Sequence, residues 1–336
     1  MTSAPVPEHP SPVVPEHPTP VPELVEGSFA TRRHPAPVPE LVEGPFPTID
    51  PFGAKPVPGG VDVVSIPATV GTLTAFHAAP ARGTTPRGTV LIVPGFTGSK
   101  EDFTDFLPRL SAAGWDAWAY SQRGQADSVG PVGLEHYRLE DFAADAVEVA
   151  QLVGGGAPVH LLGHSFGGVV ARAAAIASPS SFRSLTMFCS GPSGWEGRHQ
   201  DTIDTLEASG SIGLWYRDNP HTLGVPDSGL SADEAFVRLR AERTSSDNLR
   251  SAAVILRDDR DTTELLHATG LPVHVVHGEH DDAWPIPWQH YMALRLEARY
   301  SVIAGAAHSP QLEAPALAAE ALDAFWASVP LAPAAP

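Results

Sequence analysis

Residues 158–178 read PVHLLGHSFGGVVARAAAIAS, passing from the apolar run Val159-His160-Leu161-Leu162 through Gly163-His164-Ser165-Phe166-Gly167 into an alanine-rich segment. That order is strand, sharp turn, helix. A serine on such a turn sits in a strained backbone conformation, and only residues without bulk fit two positions to either side. Gly163 and Gly167 fill those positions. Ser165 is therefore expected at the carboxyl edge of a sheet with a helix N-terminus behind it, where free N–H groups and the helix dipole stabilise developing negative charge. The five-residue pattern alone is weak in a glycine-rich chain. Its flanks, an apolar run before and Gly168-Val169-Val170-Ala171 after, supply the strand and the helix it requires.

Outward from this turn, short apolar runs and amphipathic segments alternate. Residues 61–66 and 73–77 read as an antiparallel pair, and residues 89–93 (TVLIV) as a central strand buried on both faces. Residues 101–113 show helical spacing of Phe103, Phe106, Leu107 and Leu110, with Pro108 inside and a kink expected there. A strand at 116–120 and a long amphipathic helix at 134–153 lead back to the turn, and a further apolar run ends at Cys189. Alternation then stops. Residues 193–268 hold helical pieces at 232–243 and 246–257 and read as an inserted helical cap, with Trp195, Trp215 and Tyr216 available to wall a pocket or to pack within the cap. Strands at 272–277 and 299–303 and a closing helix at 315–328 complete an α/β pattern of a doubly wound, mostly parallel sheet with helices on both faces. Ligands bind such sheets beyond the carboxyl ends of the strands, so the loops at Gly95, Arg123 and Ser165 are expected to converge.

Composition sets outer limits. The chain has 336 residues, 43% hydrophobic, enough for one large α/β core, divided as 59–192 and 269–330 around the insertion. Its net charge of −18 repels phosphate backbones and anionic membranes, which argues against nucleic acid as a partner and against stable membrane insertion. No apolar run is long enough to span a bilayer and no basic-then-apolar leader is evident, so a cytoplasmic setting is expected. One cysteine, Cys189, excludes an internal disulfide and reads as a buried structural thiol. Residues 1–58 carry 16 of the 35 prolines and the doubled segment PVPELVEG at 20–27 and 37–44; they are expected to be an extended or disordered tail, apart from the core.

A serine hydroxyl becomes nucleophilic when an imidazole takes its proton and a carboxylate fixes the imidazole. For a serine on a strand–turn–helix elbow the acid and then the histidine follow in sequence, each just past a later strand. Asp281, in the loop Gly278-Glu279-His280-Asp281-Asp282, and His308, in Ala306-Ala307-His308-Ser309-Pro310, occupy those places. Asp282 is the neighbouring rival to Asp281, and Glu196 a remoter one. Oxyanion donors are expected from the N–H groups of Phe166 and Phe96. His274 and His277 face opposite sides of a strand and cannot close on one ion with His280, so no metal and no cofactor is expected; His160 and His164 read as packing or supporting residues.

Together these features resemble the α/β-hydrolase superfamily over about residues 60–328, most closely in the histidine loop GAAHSPQLEAP at 305–315. Two departures are Pro94-Gly95, where many members carry His-Gly, and the loop at 123–128, which lacks a second glycine. The resemblance implies an α/β-hydrolase fold and a serine hydrolase using Ser165, Asp281 and His308, with carboxylic-ester cleavage of a small, largely apolar acyl substrate leading. Thioester, lactone, amide and carbon–carbon hydrolysis would use the same residues. An acyltransferase on the same scaffold and a ligand-binding receptor with a slow triad stand as alternatives, and the oligomeric state is open.

Overall fold

A computed structural model describes residues 46–330; the doubled proline-rich segments lie outside the described residues. Eight strands form one sheet: β1 (Asp62–Ala68), β2 (Gly71–Ala78), β3 (Thr89–Val93), β4 (Asp116–Tyr120), β5 (Val159–His164), β6 (Phe182–Phe188), β7 (Val273–Gly278) and β8 (Arg299–Ile303), in the spatial order 1-2-4-3-5-6-7-8. β2 alone runs against the others. From β3 the chain leaves toward β4 on one side, and from β5 toward β6 on the other. The loops beyond these two adjacent strands therefore diverge and leave a crevice between them.

The helices are α1 (Leu107–Ala112), α2 (Leu139–Val153), α3 (Phe166–Ala177), α4 (Gln200–Asp218), α5 (Ala232–Arg243), α6 (Ser246–Asp258), α7 (Thr263–His267), α8 (Ile286–Arg295), α9 (Pro310–Glu313) and α10 (Pro315–Trp326). Alternate residues of the central strands feed two cores. Leu91, Val93 and Leu161 pack against α2, α3 and α8, while Val90, Ile92 and Leu162 pack against α1 and α10. Each fully buried large apolar side chain contributes roughly 1.5–3 kcal/mol, which is why the strands read as unbroken apolar runs instead of alternating ones.

The helix expected over 101–113 is two pieces. A 3₁₀ turn at Lys100–Phe103 precedes α1, and Pro108 lies in the first turn of α1, not within a longer helix. Proline lacks the N–H an interior position must donate and clashes with the carbonyl four residues back, so the chain restarts its helix just before it. Residues 46–58, expected to stand apart from the core, lie against it. Ile49 N donates to Val63 O, Ser65 N to Pro47 O, and the Phe46 ring meets Trp118 edge-on at 5.5 Å. The segment forms a single bridge, Thr48 to Val64, because edge strand β1 offers it unpaired backbone groups.

Between β6 and β7 lie α4 to α7 and, among the described residues, no strand. Leu206 and Leu214 of α4 with Leu249 and Ala253 of α6 form a small separate apolar cluster that packs against Phe96, in the loop leaving β3. Entry and exit of the segment are tied together, Gly194 N donating to Asp259 O and Trp195 N to Leu256 O. No helix of the described residues is long and apolar enough to cross a membrane.

Candidate active site

Ser165 sits at the junction of β5 and α3 with φ 56° and ψ −121°, a left-handed conformation costing about 1–3 kcal/mol for a residue with a Cβ. The turn closes because its glycines admit backbone. A Cβ on Gly163 would lie 2.2 Å from Gly167 O, and one on Gly167 would lie 2.2 Å from Val93 O. The strain leaves the hydroxyl facing the crevice.

The structure brings the three separated groups together. His308 Nε2 lies 2.9 Å from Ser165 Oγ and accepts its proton, and His308 Nδ1 donates to Asp281 Oδ1 at 2.8 Å. Asp282 and Glu196, the rivals, are exposed. Asp281 is buried, which opposes its ionisation, but hydrogen bonds from His308, Gln289 and the Ala283 N–H outweigh burial and hold its carboxyl below the usual range. The loops that carry Asp281 and His308 are joined by main-chain bonds, His280 N to Ala306 O and Glu279 N to Ile303 O. Gly278 makes this possible, since a Cβ there would meet Ala307 O at 2.0 Å.

Four supporting residues escaped the sequence reading. Gln289 of α8, fully buried, donates to Asp281 Oδ2 at 2.9 Å. Gln122 donates to Pro94 O at 2.9 Å and Gln125 to Gly95 O at 2.7 Å, so two buried amides pin the loop that presents Phe96. Glu313 accepts from the N–H groups of Ala307 and Ser309 and fixes the backbone on both sides of His308. A polar residue five positions past the histidine was the one available signal. The Phe96 and Phe166 amides have no acceptor among the described residues; Phe96 lines the cavity, and Phe166 follows Ser165 at the first position of α3.

His164 supports the same loop. Its Nε2 donates to His308 O at 2.8 Å, which fixes the neutral tautomer, and burial with the nearby His308 pushes its pKa down to about 4. His164, Cys189 and His308 present ligand atoms within 4.8 Å of one another. They fit a metal poorly, because both His308 nitrogens are engaged and burial with the Asp281 charge pushes the Cys189 thiol up, away from thiolate. His274 lies against Phe325, ring centroids 4.8 Å apart and tilted by 48°, while His277 bonds Tyr300 Oη at 2.5 Å, on opposite faces as their spacing requires.

Above Ser165 is a cavity of about 370 Å³. Phe96, Leu256, Ala283, Trp284 and Leu312 give it an apolar wall; Asp102, Arg198 and Arg240 give it a charged one, with the His199 ring, which burial and the Arg198 charge hold toward the neutral form, beside them. Trp215 instead lines an adjoining cavity of about 150 Å³, and Trp195 packs on Trp288.

No curated protein matches the chain in sequence. Solved structures match it in fold. They include the enol-lactonase of Burkholderia xenovorans (17% identity, TM-score 0.64, covering 79% of this chain and 100% of that one) and a thermophilic esterase of Thermogutta terrifontis (20%, 0.63, 80% and 98%). A third is described in work on carboxylesterases of Nitrososphaera gargenis (19%, 0.62, 79% and 98%). At these identities the likeness is one of fold. The family model described as alpha/beta hydrolase family matches residues 90–321, more than half of the sequence and all the loops just described, and the chain belongs to that family.

Proposed function

We propose that the protein is a serine hydrolase that cleaves a small carboxylic ester through an acyl-enzyme on Ser165. The observation that carries this reading is the unbroken hydrogen-bond chain from Asp281 through His308 to Ser165 Oγ. Ser165 gives its proton to His308 Nε2 as Oγ attacks the ester carbonyl. Asp281, ionised by its donors, stabilises the imidazolium and holds its tautomer. The oxyanion is taken by the Phe96 and Phe166 N–H groups, each supplying about 3–4 kcal/mol. His308 then protonates the departing alcohol, and water deprotonated by the same ring releases the acid. The apolar wall suits the hydrocarbon part of the substrate. No cofactor and no partner beyond that small acyl substrate enter the scheme, and the lone buried Cys189 suits a reducing cytoplasm.

A fluorophosphonate probe should label wild-type protein and leave Ser165→Ala unlabelled, and ester turnover should fall by at least about 1,000-fold in that variant. Labelling unchanged by the substitution would remove the proposal.

A further inference from the structure

The charged wall of the cavity above Ser165 is more cationic than the rest of this chain gives reason to expect. Arg198, just before α4, holds its guanidinium over the Trp195 ring at 4.5 Å from the centroid, and its side chain has no carboxylate partner among the described residues. Arg240 of α5 is 9% exposed. Its Nη1 donates to Asp102 Oδ1 at 2.6 Å and to Ser99 Oγ at 3.3 Å, whereas Nε and Nη2 have no acceptor among the described residues. Both arginines line the cavity, and Arg240 also borders the adjoining smaller one, so its fork stands where the two meet.

A tie from α5 to the loop after β3 explains Nη1 of Arg240. It does not explain the idle edge of that guanidinium, nor Arg198. The one carboxylate in the wall, Asp102, cancels one of the two positive charges and leaves an excess of one, in a molecule whose net charge is −18. Arg198 is exposed and the Nε and Nη2 groups of Arg240 are not sealed from solvent, so in this half-enclosed, partly apolar site these donors are left to water. An anionic group of planar geometry exchanges that water for charge-assisted hydrogen bonds, and the arginine fork matches a carboxylate.

We infer that the preferred substrates are esters carrying a second, free carboxylate, which Arg198 and Arg240 receive while Ser165 faces the ester carbonyl. The inference rests on the ester-hydrolase reading for turnover, but the anion site itself rests on the arginines. Trp195 serves as the platform that keeps Arg198 over the cavity.

The comparison that decides it is kcat/KM for monoethyl adipate against ethyl hexanoate, two esters of equal chain length that differ in the terminal carboxylate. Wild type should favour the anionic ester by about tenfold or more, the range of one charged hydrogen bond. R198Q, at an exposed position that leaves folding intact, should bring the ratio toward one through KM, with R198K retaining part of it. Raising the salt concentration should erode the preference of wild type, because Arg198 is solvent-accessible. A wild-type ratio at or below one, or a ratio indifferent to R198Q, overturns the inference. If Ser165 resists the fluorophosphonate and neither ester turns over, the hydrolase reading fails by itself. Calorimetry with adipate then decides the anion site alone: heat of binding lost in R198Q supports it, and no binding to wild type refutes it.

Discussion

Asp281 depends on its donors. Burial alone would push its carboxyl toward the neutral form, and a neutral acid cannot stabilise the imidazolium that the proposed mechanism needs. Gln289 Nε2 supplies one of the bonds that reverse this, and its removal raises the Asp281 pKa. Gln289→Leu should therefore lower kcat by about tenfold, the range of one charged hydrogen bond, and move the acid limb of kcat/KM to higher pH, with KM little changed. Gln289→Glu would add a like charge and should be worse. A pH profile of Gln289→Leu superimposable on wild type would show that the amide merely fills space. Gln122 and Gln125 act in the same indirect way on the loop after β3, which the proposed mechanism uses to hold the oxyanion. None of these amides was legible in the sequence, because their partners are main-chain carbonyls and a carboxylate that only the folded loops bring near.

At the scale of elements, legibility followed the physics of each signal. The elbow was readable because Gly163, Ser165 and Gly167 answer a steric demand confined to five residues, and the partners were readable because strand ends are marked by the runs before them. Lys100–Phe103 was not separable from α1, since Phe103 and Leu107 keep helical spacing across the break and only Pro108 marks the restart. Residues 46–58 were misplaced because their contacts are backbone bonds to β1, which composition does not reveal. The elbow is also where one atom should cost most. Gly167→Ala places a methyl 2.2 Å from Val93 O and 2.5 Å from Pro94 O, backbone atoms of β3 and the loop that follows it, which cannot rotate away. A loss of about 3 kcal/mol or more in urea unfolding is expected. The segment between β6 and β7 has its own anchor: Arg172 of α3, buried, bonds Gly191 O at 3.0 Å and Pro192 O at 2.6 Å and pairs with Asp259. Arg172→Met strands the Asp259 carboxylate and should cost about 3–5 kcal/mol by the same measurement, with much of that recovered when Asp259 is made Asn as well.

Across the whole molecule, three buried histidines set how acid acts on the fold. His160 bonds Ser184 Oγ, His274 bonds Ser301 Oγ and His164 bonds the His308 carbonyl, each through one nitrogen, while the other ring nitrogen is buried without a partner. A second proton on any of them would bury an unanswered charge. Burial, aided by the Arg183 charge near His160 and the Arg299 charge near His274, pushes these two down to about 3, and His164 to about 4, from an ordinary value of 6.5. The native state stays neutral at these sites while the unfolded chain takes up protons below pH 6.5. Stability is therefore fully present above that pH and is lost as pH falls through the window from 6.5 toward 4. Each histidine contributes about 1.4 kcal/mol per pH unit, and three together about 4. Over two and a half units this is comparable with the 5–15 kcal/mol typical of a folded domain, so stability should fall steeply as pH drops below 6.5. His274→Gln keeps a polar partner for Ser301 without a titrating proton and should cut the slope by about a third. Urea unfolding at pH 7, 6 and 5 tests this directly: a free energy that does not fall below pH 6.5, or a slope unaffected by the His274 substitution, would mean that the buried rings do not govern acid stability.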